Sequence, residues 1–109
     1  MANAELDVQT LDDPLPRYAD LHAVIGTEPR LRIVRALIAA HPDGLVVGEV
    51  ADALGMGGSS LSHHLDRLKM ERVVTVERQG TFLRYRVDMA LLRELVNWMA
   101  SECCGGTAG

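Results

Sequence analysis

The hydrophobic period of this sequence changes near residue 73, and this change constrains the fold more than any other feature. Before it, apolar side chains recur at helical spacing. Between residues 74 and 87 apolar and polar side chains alternate, and Gln79-Gly80 interrupts the alternation as a tight turn. Helical spacing returns from about Asp88 to Glu102. A single hairpin among helices predicts a mainly α fold with a small β-hairpin, and it excludes a parallel nucleotide-binding sheet.

Four helical segments precede the predicted hairpin. They are expected over residues 17–26, from Glu28 to about His41, over residues 47–54, and from Ser59 to about Arg72. The hydroxyl of Thr27 is expected to cap the second helix, and Ser59 and Ser60 are expected to cap the fourth. Four helices, a hairpin and a last helix follow one another in the order of a winged helix-turn-helix domain.

The charge of the chain is unevenly distributed. The sequence has 109 residues and a net charge of −4, and residues 1–20 account for this excess of acid. We expect a flexible acidic arm over residues 1–16, a winged helix-turn-helix domain over 17–102 and a cysteine-containing tail over 103–109. The sequence contains no apolar run long enough for a membrane span and no visible secretion signal, so a cytoplasmic protein without membrane contact is expected.

The fourth predicted helix carries a polar strip that can meet DNA. Leu61, Leu65 and Leu68 define its buried side at steps of about 100° per residue. The candidate DNA-binding residues of this helix lie opposite or beside the leucines: Ser59, Ser60, Ser62, His63 and Arg67. Hydroxyl and imidazole groups can bond base edges, and the segment from residue 54 to 65 has no acid. An ordinary solvated helix face is the alternative. His64 is expected to be a half-buried packing residue.

The predicted hairpin, residues 74–87, adds three further candidate DNA contacts. Arg78 and Gln79 lie before its turn, and Arg84 lies on the returning strand. Arginines here would bind the phosphate backbone without reading sequence. Solvated strand arginines without a DNA role are the alternative.

Several short motifs between residues 17 and 101 point to one family when they are taken together. They are Glu28-Pro29-Arg30-Leu31-Arg32-Ile33, Val47-Gly48-Glu49-Val50-Ala51 with Leu54-Gly55, Leu61-Ser62-His63-His64-Leu65 with Leu68, Val73-Val74, Gln79-Gly80 and Tyr85-Arg86-Val87. The sequence thereby resembles the ArsR/SmtB family of bacterial repressors. The resemblance implies a symmetric homodimer held by the first and last helices, with the fourth helix and the wing of each subunit on double-stranded operator DNA. One departure is Gly57-Gly58, where members often have Ser-Gln, so some base contacts are expected to be missing or shifted.

The ligand-sensing site implied by the resemblance lies at the end of the last helix. The cysteines that some members carry in the third helix are replaced by Val46 and Gly48, and no histidine follows His64 to build a zinc site in the last helix. The pair that remains, Cys103-Cys104, is similar to the adjacent cysteines of an arsenic-responsive subset. Trivalent arsenic or antimony bound at these cysteines is therefore the implied inducer, and no other cofactor is required.

The donor set for such an ion is incomplete in this sequence. Trivalent arsenic takes three sulfurs, and thiolates select soft ions, but Cys103 and Cys104 are the two cysteines of the chain. The third ligand stays open between a small thiol, a cysteine of the partner chain and a residue not included in this sequence. Zinc is less suitable, because a closed zinc site needs four ligands.

These observations predict a dimeric DNA-binding repressor that trivalent arsenic or antimony releases from its operator. Two other functions remain open. A repressor of the same fold could use the cysteine pair to sense oxidants or sulfide, or the domain could recruit a protein through its broad last helix. The sequence does not predict an enzyme, because no nucleophile, base and orienting group occur at an interpretable spacing.

Overall fold

The structure, a computed structural model, describes residues 13–105. The elements are helices α1 (Leu15–Ile25), α2 (Glu28–Ala39), α3 (Val47–Leu54), α4 (Gly58–Met70) and α5 (Met89–Cys104), and strands β1 (Leu45–Val46), β2 (Val74–Gln79) and β3 (Phe82–Val87). The predicted mainly α winged helix-turn-helix fold is confirmed. Most of the expected acidic arm and the end of the expected tail, residues 1–12 and 106–109, lie outside the described residues.

The sheet has three antiparallel strands in the order β1-β3-β2. Strands β2 and β3 form the predicted hairpin, with Val74 opposite Val87 and Gln79 opposite Phe82. Strand β1 was missed, because two residues are too few to show an alternation. It follows Gly44, whose φ is +77° and whose position would bring an added Cβ within 2.3 Å of the Tyr85 carbonyl oxygen. Only glycine permits that approach to β3.

The core lies between the helices and one face of the hairpin. The buried apolar side chains are Tyr18, Leu21, Val24, Ile33, Val34, Leu37, Val50, Leu61, Leu65, Leu68, Val73, Val74, Tyr85, Val87 and Leu95. This set contains the three leucines that were predicted to form the buried side of the fourth helix. Burial of each leucine stabilises the fold by about 1.5–3 kcal/mol. This leucine seam, formed by Leu61, Leu65 and Leu68, therefore determines which face of α4 remains exposed.

The beginnings of two helices differ from the expected capping. Thr27 precedes α2 but makes no capping hydrogen bond, and its Oγ1 is a buried side-chain oxygen without a partner among the described residues. Helix α4 begins at Gly58 with Gly57 as its N-cap, so Ser59 and Ser60 occupy the first turn and do not cap it. Gly58 has a φ of +65°, a conformation that favours glycine. Both serines are thereby left exposed.

Helices α1 and α5 extend beyond their predicted ends. Helix α1 begins at Leu15, two residues before the expected start of the domain. Helix α5 continues to Cys104, so the cysteines belong to its last turn and not to a separate tail. Gly105 ends it in the left-handed conformation, and the Gly105 N–H donates to the Ser101 carbonyl. No helix within residues 13–105 has the length and apolar character that a bilayer crossing requires.

Candidate nucleic-acid interface and thiol pair

Helix α4, called the recognition helix below, presents its predicted polar strip to solvent. Ser59, Ser60, Ser62, His63 and Arg67 are all exposed, whereas the three leucines of the opposite side are buried. The first turn contains no acid, and the last turn carries Arg67 and Lys69. The start of a helix favours anions, and the strip offers hydroxyl and imidazole groups of the kind that bond base edges. This face is therefore chemically suited to the major groove.

His64 lies at the edge of the leucine seam and is half-buried, in agreement with its predicted packing role. Its Nδ1 is 3.3 Å from an Nη of Arg30. Because a guanidinium can only donate, Nδ1 accepts this hydrogen bond and the proton of the neutral ring is on Nε2. Partial burial, Arg30 and His63 hold the pKa of His64 below its ordinary value. His64 is therefore directed inward to Arg30 and does not belong to the exposed polar strip.

The wing, residues 74–87, leaves only one of its arginines without a partner. Arg84 donates from Nε to the Gln79 side-chain oxygen at 2.8 Å and from an Nη to the Gly44 carbonyl at 3.3 Å. Arg86 forms an ion pair with Glu77 at 2.6 Å, and this pairing lowers the pKa of Glu77. Within residues 13–105, Arg78 makes no hydrogen bond or ion pair, and it is exposed.

The strand register places these wing residues on two different faces. Arg78 pairs with Leu83 on the face that continues the core, whereas Arg84 lies opposite Glu77 on the outer face with Gln79. The candidates Arg78 and Arg84 therefore point away from each other. Arg84 and Gln79 connect the wing to the turn before β1, whereas Arg78 extends from the other face of the hairpin.

Phe82 is an exposed side chain at the wing tip that the sequence reasoning did not single out. It lies opposite Gln79 and is 63% exposed. The alternation of apolar and polar residues indicates which side chains face the core. It assigned no role to Phe82, because the wing tip extends beyond the core. A lone phenylalanine next to a glycine turn was the available signal.

Replacing Arg78 by alanine is expected to weaken DNA binding about equally at all sequences and to lower the salt slope by roughly one unit. The reason is that an unpaired arginine at the wing contacts phosphate and not a base edge. Binding isotherms at several salt concentrations check this, with Arg93→Ala on α5 as an exposed control of the same charge. A loss confined to one base position would contradict the assigned role.

The two cysteines lie side by side in the last turn of α5. Both are exposed, and their sulfurs share a hydrogen bond at 3.1 Å. This bond and partial desolvation raise the pKa of the Cys104 thiol. Among residues 13–105 no third histidine, cysteine or carboxylate completes a metal cluster with them. The pair can therefore supply two sulfurs to one soft ion, and a third donor has to come from elsewhere.

Next to the pair is an apolar groove between α1 and α5. It has a volume of about 370 Å³ and is lined by His22, Ile25, Leu95, Val96, Met99, Ala100 and Cys103. Val96 is 63% exposed and Met99 is 43% exposed. An exposed apolar groove of this kind on a small domain is typical of a protein interface. Cys103 joins this surface to the thiol pair.

The comparisons with known proteins agree with this arrangement. A family model described as a helix-turn-helix domain matches residues 26–77. The solved homodimeric winged helix-turn-helix DNA-binding domain from Mycobacterium bovis, described as a possible ArsR-family transcriptional regulator, is 31% identical with a TM-score of 0.64. The match covers 81% of this chain and 82% of that domain. This chain belongs to the ArsR/SmtB family.

Two further ArsR/SmtB comparisons bear on the kind of regulator. The solved antimony-specific transcriptional repressor AntR is 36% identical with a TM-score of 0.59, over 69% of this chain and 67% of AntR. The transcriptional repressor SdpR of Bacillus subtilis is 33% identical over 55 residues, which are 50% of this chain and 61% of SdpR. The chain spans about three fifths of the length of the curated relatives it matches. AntR and SdpR are described as transcriptional repressors, in agreement with the predicted class of DNA-binding regulator.

Proposed function

We propose that this ArsR/SmtB-family chain is a homodimeric repressor that binds double-stranded operator DNA and is released when trivalent arsenic or antimony binds Cys103 and Cys104. The observation that carries this proposal is the position of the two sulfurs. They lie 3.1 Å apart in the last turn of α5, next to the apolar groove between α1 and α5. An ion bound there would change the surface through which two subunits meet.

Binding to DNA is supported by the recognition helix and the wing. The exposed strip from Ser59 to Arg67 carries no acid except Asp66, and the unpaired Arg78 lies at the wing. Base edges would be read by the strip, and phosphate would be held by the arginines. In a twofold dimer the two recognition helices would meet half-sites about 34–36 Å apart.

Dimer formation is supported by the groove between α1 and α5. Val96 and Met99 are exposed apolar residues that line this groove beside the buried Leu95. A second copy of the chain would cover this surface and remove its apolar side chains from water. The description of the Mycobacterium bovis relative as homodimeric supports the same arrangement.

The chemistry of induction requires no oxidant. In arsenite, each As–S bond forms as an As–OH bond breaks, and the thiol proton leaves with the hydroxide as water. Arsenic stays trivalent throughout. Cys103 and Cys104 supply two such bonds, and a small thiol or a cysteine of the partner chain supplies the third. The comparison with AntR, an antimony-specific repressor, supports a soft trivalent ion of this group.

A titration of the DNA-bound protein with arsenite tests the proposal. Duplexes are first selected from a random pool with the full chain, and arsenite is then added while DNA release and free thiols are recorded together. We expect release in step with the loss of two thiols per chain. Release by peroxide or persulfide, without release by arsenite, would indicate a redox or sulfide sensor. Negligible, salt-insensitive binding to every duplex would indicate a protein-interaction module.

A further inference from the structure

The N-terminal end of helix α1 is bonded to the C-terminal end of the recognition helix. An Nη of Arg17 forms an ion pair with the Glu71 carboxylate at 2.7 Å, and the other Nη donates to the Glu71 carbonyl. Glu71 is the C-cap residue of the recognition helix. One guanidinium therefore holds both the side chain and the backbone at the end of that helix.

A second arginine connects the other end of α1 to the recognition helix. Arg30 lies in the first turn of α2. It donates from Nε to the Val24 carbonyl in the last turn of α1. An Nη of Arg30 donates to Nδ1 of His64. Arg30 is 9% exposed and is the one buried charged residue in the described part of the chain. The Arg30 guanidinium therefore bonds both α1 and the recognition helix.

The same helix α1 packs on α5, which carries the thiol pair. The Tyr18 hydroxyl donates to Glu94 at 3.0 Å, and the Tyr18 and Trp98 rings have their centroids 4.9 Å apart. His22 and Ile25 share the apolar groove with Cys103. Helix α1 therefore has the groove on one side and, on the other, the hydrogen bonds of Arg17 and Arg30 that connect it to the recognition helix.

We propose that Arg17 and Arg30 fasten α1 to the recognition helix at both ends, so that the two helices reorient as one body when the groove surface changes. Arg17, Arg30 and His64 are positioning residues in this role, and none of them has to touch DNA. The role rests on the proposed function, because it explains how occupation of the thiol pair would reach the DNA-binding face.

The physical reason is the cost of breaking the bonds to Arg30. A guanidinium cannot lose its charge in a protein, and a buried one that loses an acceptor is left with a charged donor that has no hydrogen bond. If α1 moves, either His64 and the recognition helix follow or this penalty arises. The Arg17 fork fixes the second end, and two separated attachments restrict rotation as well as translation.

Three variants separate the attachments from general stability. Arg17→Met and His64→Leu remove the polar contacts and keep the apolar bulk. His64→Asn retains an acceptor close to the position of Nδ1 and serves as the rescue. The matched control is Arg32→Met, because Arg32 pairs with Glu28 at 2.6 Å within α2 and connects no two helices.

Amide hydrogen exchange of the full chain is the first measurement, and it needs neither DNA nor arsenite. The groove is perturbed by Val96→Asp, and exchange is followed over residues 59–70. We expect Val96→Asp to change this exchange about fivefold or more in the parent and in Arg32→Met, but less than about twofold in the Arg17→Met/His64→Leu background. The Arg17→Met/His64→Asn background, which regains only the Arg30 attachment, should show a response between these two. Equal effects in both backgrounds, or no effect in the parent, would overturn the proposal.

Arsenite provides the second measurement if the parent protein is released by it. The Arg17→Met/His64→Leu variant should lose the same number of thiols as the parent, while arsenite lowers its DNA affinity about tenfold less. A response equal to that of the parent overturns the linkage. A parent that does not respond contradicts the proposed inducer instead, and the exchange measurement then decides the linkage by itself.

Discussion

Arsenite is expected to leave the Cys103→Ser/Cys104→Ser variant on DNA at concentrations that release the parent protein. A coupling of about 1–3 kcal/mol between two sites changes affinity about 5–150-fold, and this factor should fall to one when both sulfurs are lost. Serine hydroxyls are hard oxygen donors that do not replace thiolates for a soft ion. Fluorescence anisotropy with labelled duplex, with and without arsenite, measures the effect.

The design of the cysteine experiment controls for damage to α5. Both thiols are exposed at the helix end, so the variant should unfold at the same temperature as the parent and bind DNA as tightly without arsenite. Ser101→Ala, at an exposed position one turn before Gly105, is the matched control and should be released normally. Release of the double variant by arsenite would show that the thiol pair is not the sensing site.

Val96→Asp is expected to convert the protein to a monomer and to weaken DNA binding by roughly 10²-fold or more. The carboxylate would enter the apolar groove, and a second subunit could cover it only by burying an unpaired charge. A monomer then binds one half-site and loses the effective concentration that the dimer provides. Analytical ultracentrifugation and binding to a duplex with two half-sites check both parts.

A second exposed apolar residue supplies the control for Val96. Leu31 is 54% exposed on α2, outside the groove between α1 and α5. Leu31→Asp should therefore leave the mass of the assembly and its DNA affinity unchanged. A dimeric Val96→Asp protein that binds DNA like the parent would exclude this groove as the subunit interface.

The polar strip of the recognition helix could be predicted because it depends on one local rule. Once Leu61, Leu65 and Leu68 are buried, the helical repeat decides which side chains face outward, and no distant contact can alter that assignment. The same reasoning placed His64 at the edge of the seam. Its bond to Arg30 could not be predicted, because the two residues are 34 positions apart and lie on different helices.

The wing shows where local patterns were insufficient. Alternation predicted both strands, and Arg78 and Arg84 were both expected to bind the phosphate backbone. The register puts them on opposite faces, and the third strand brings the Gly44 carbonyl to Arg84. Whether an arginine is available to DNA depends on acceptors contributed by other segments, and composition contains no information about them.

The sequence by itself determined the order of the elements, the leucine seam and the presence of two adjacent thiols, because each follows from spacing along one helix or strand. Only the tertiary structure decided that the thiols end α5 beside an apolar groove and that two arginines bond α1 to the recognition helix. Those features come from side chains far apart in the chain, and packing alone brings such groups within bonding distance.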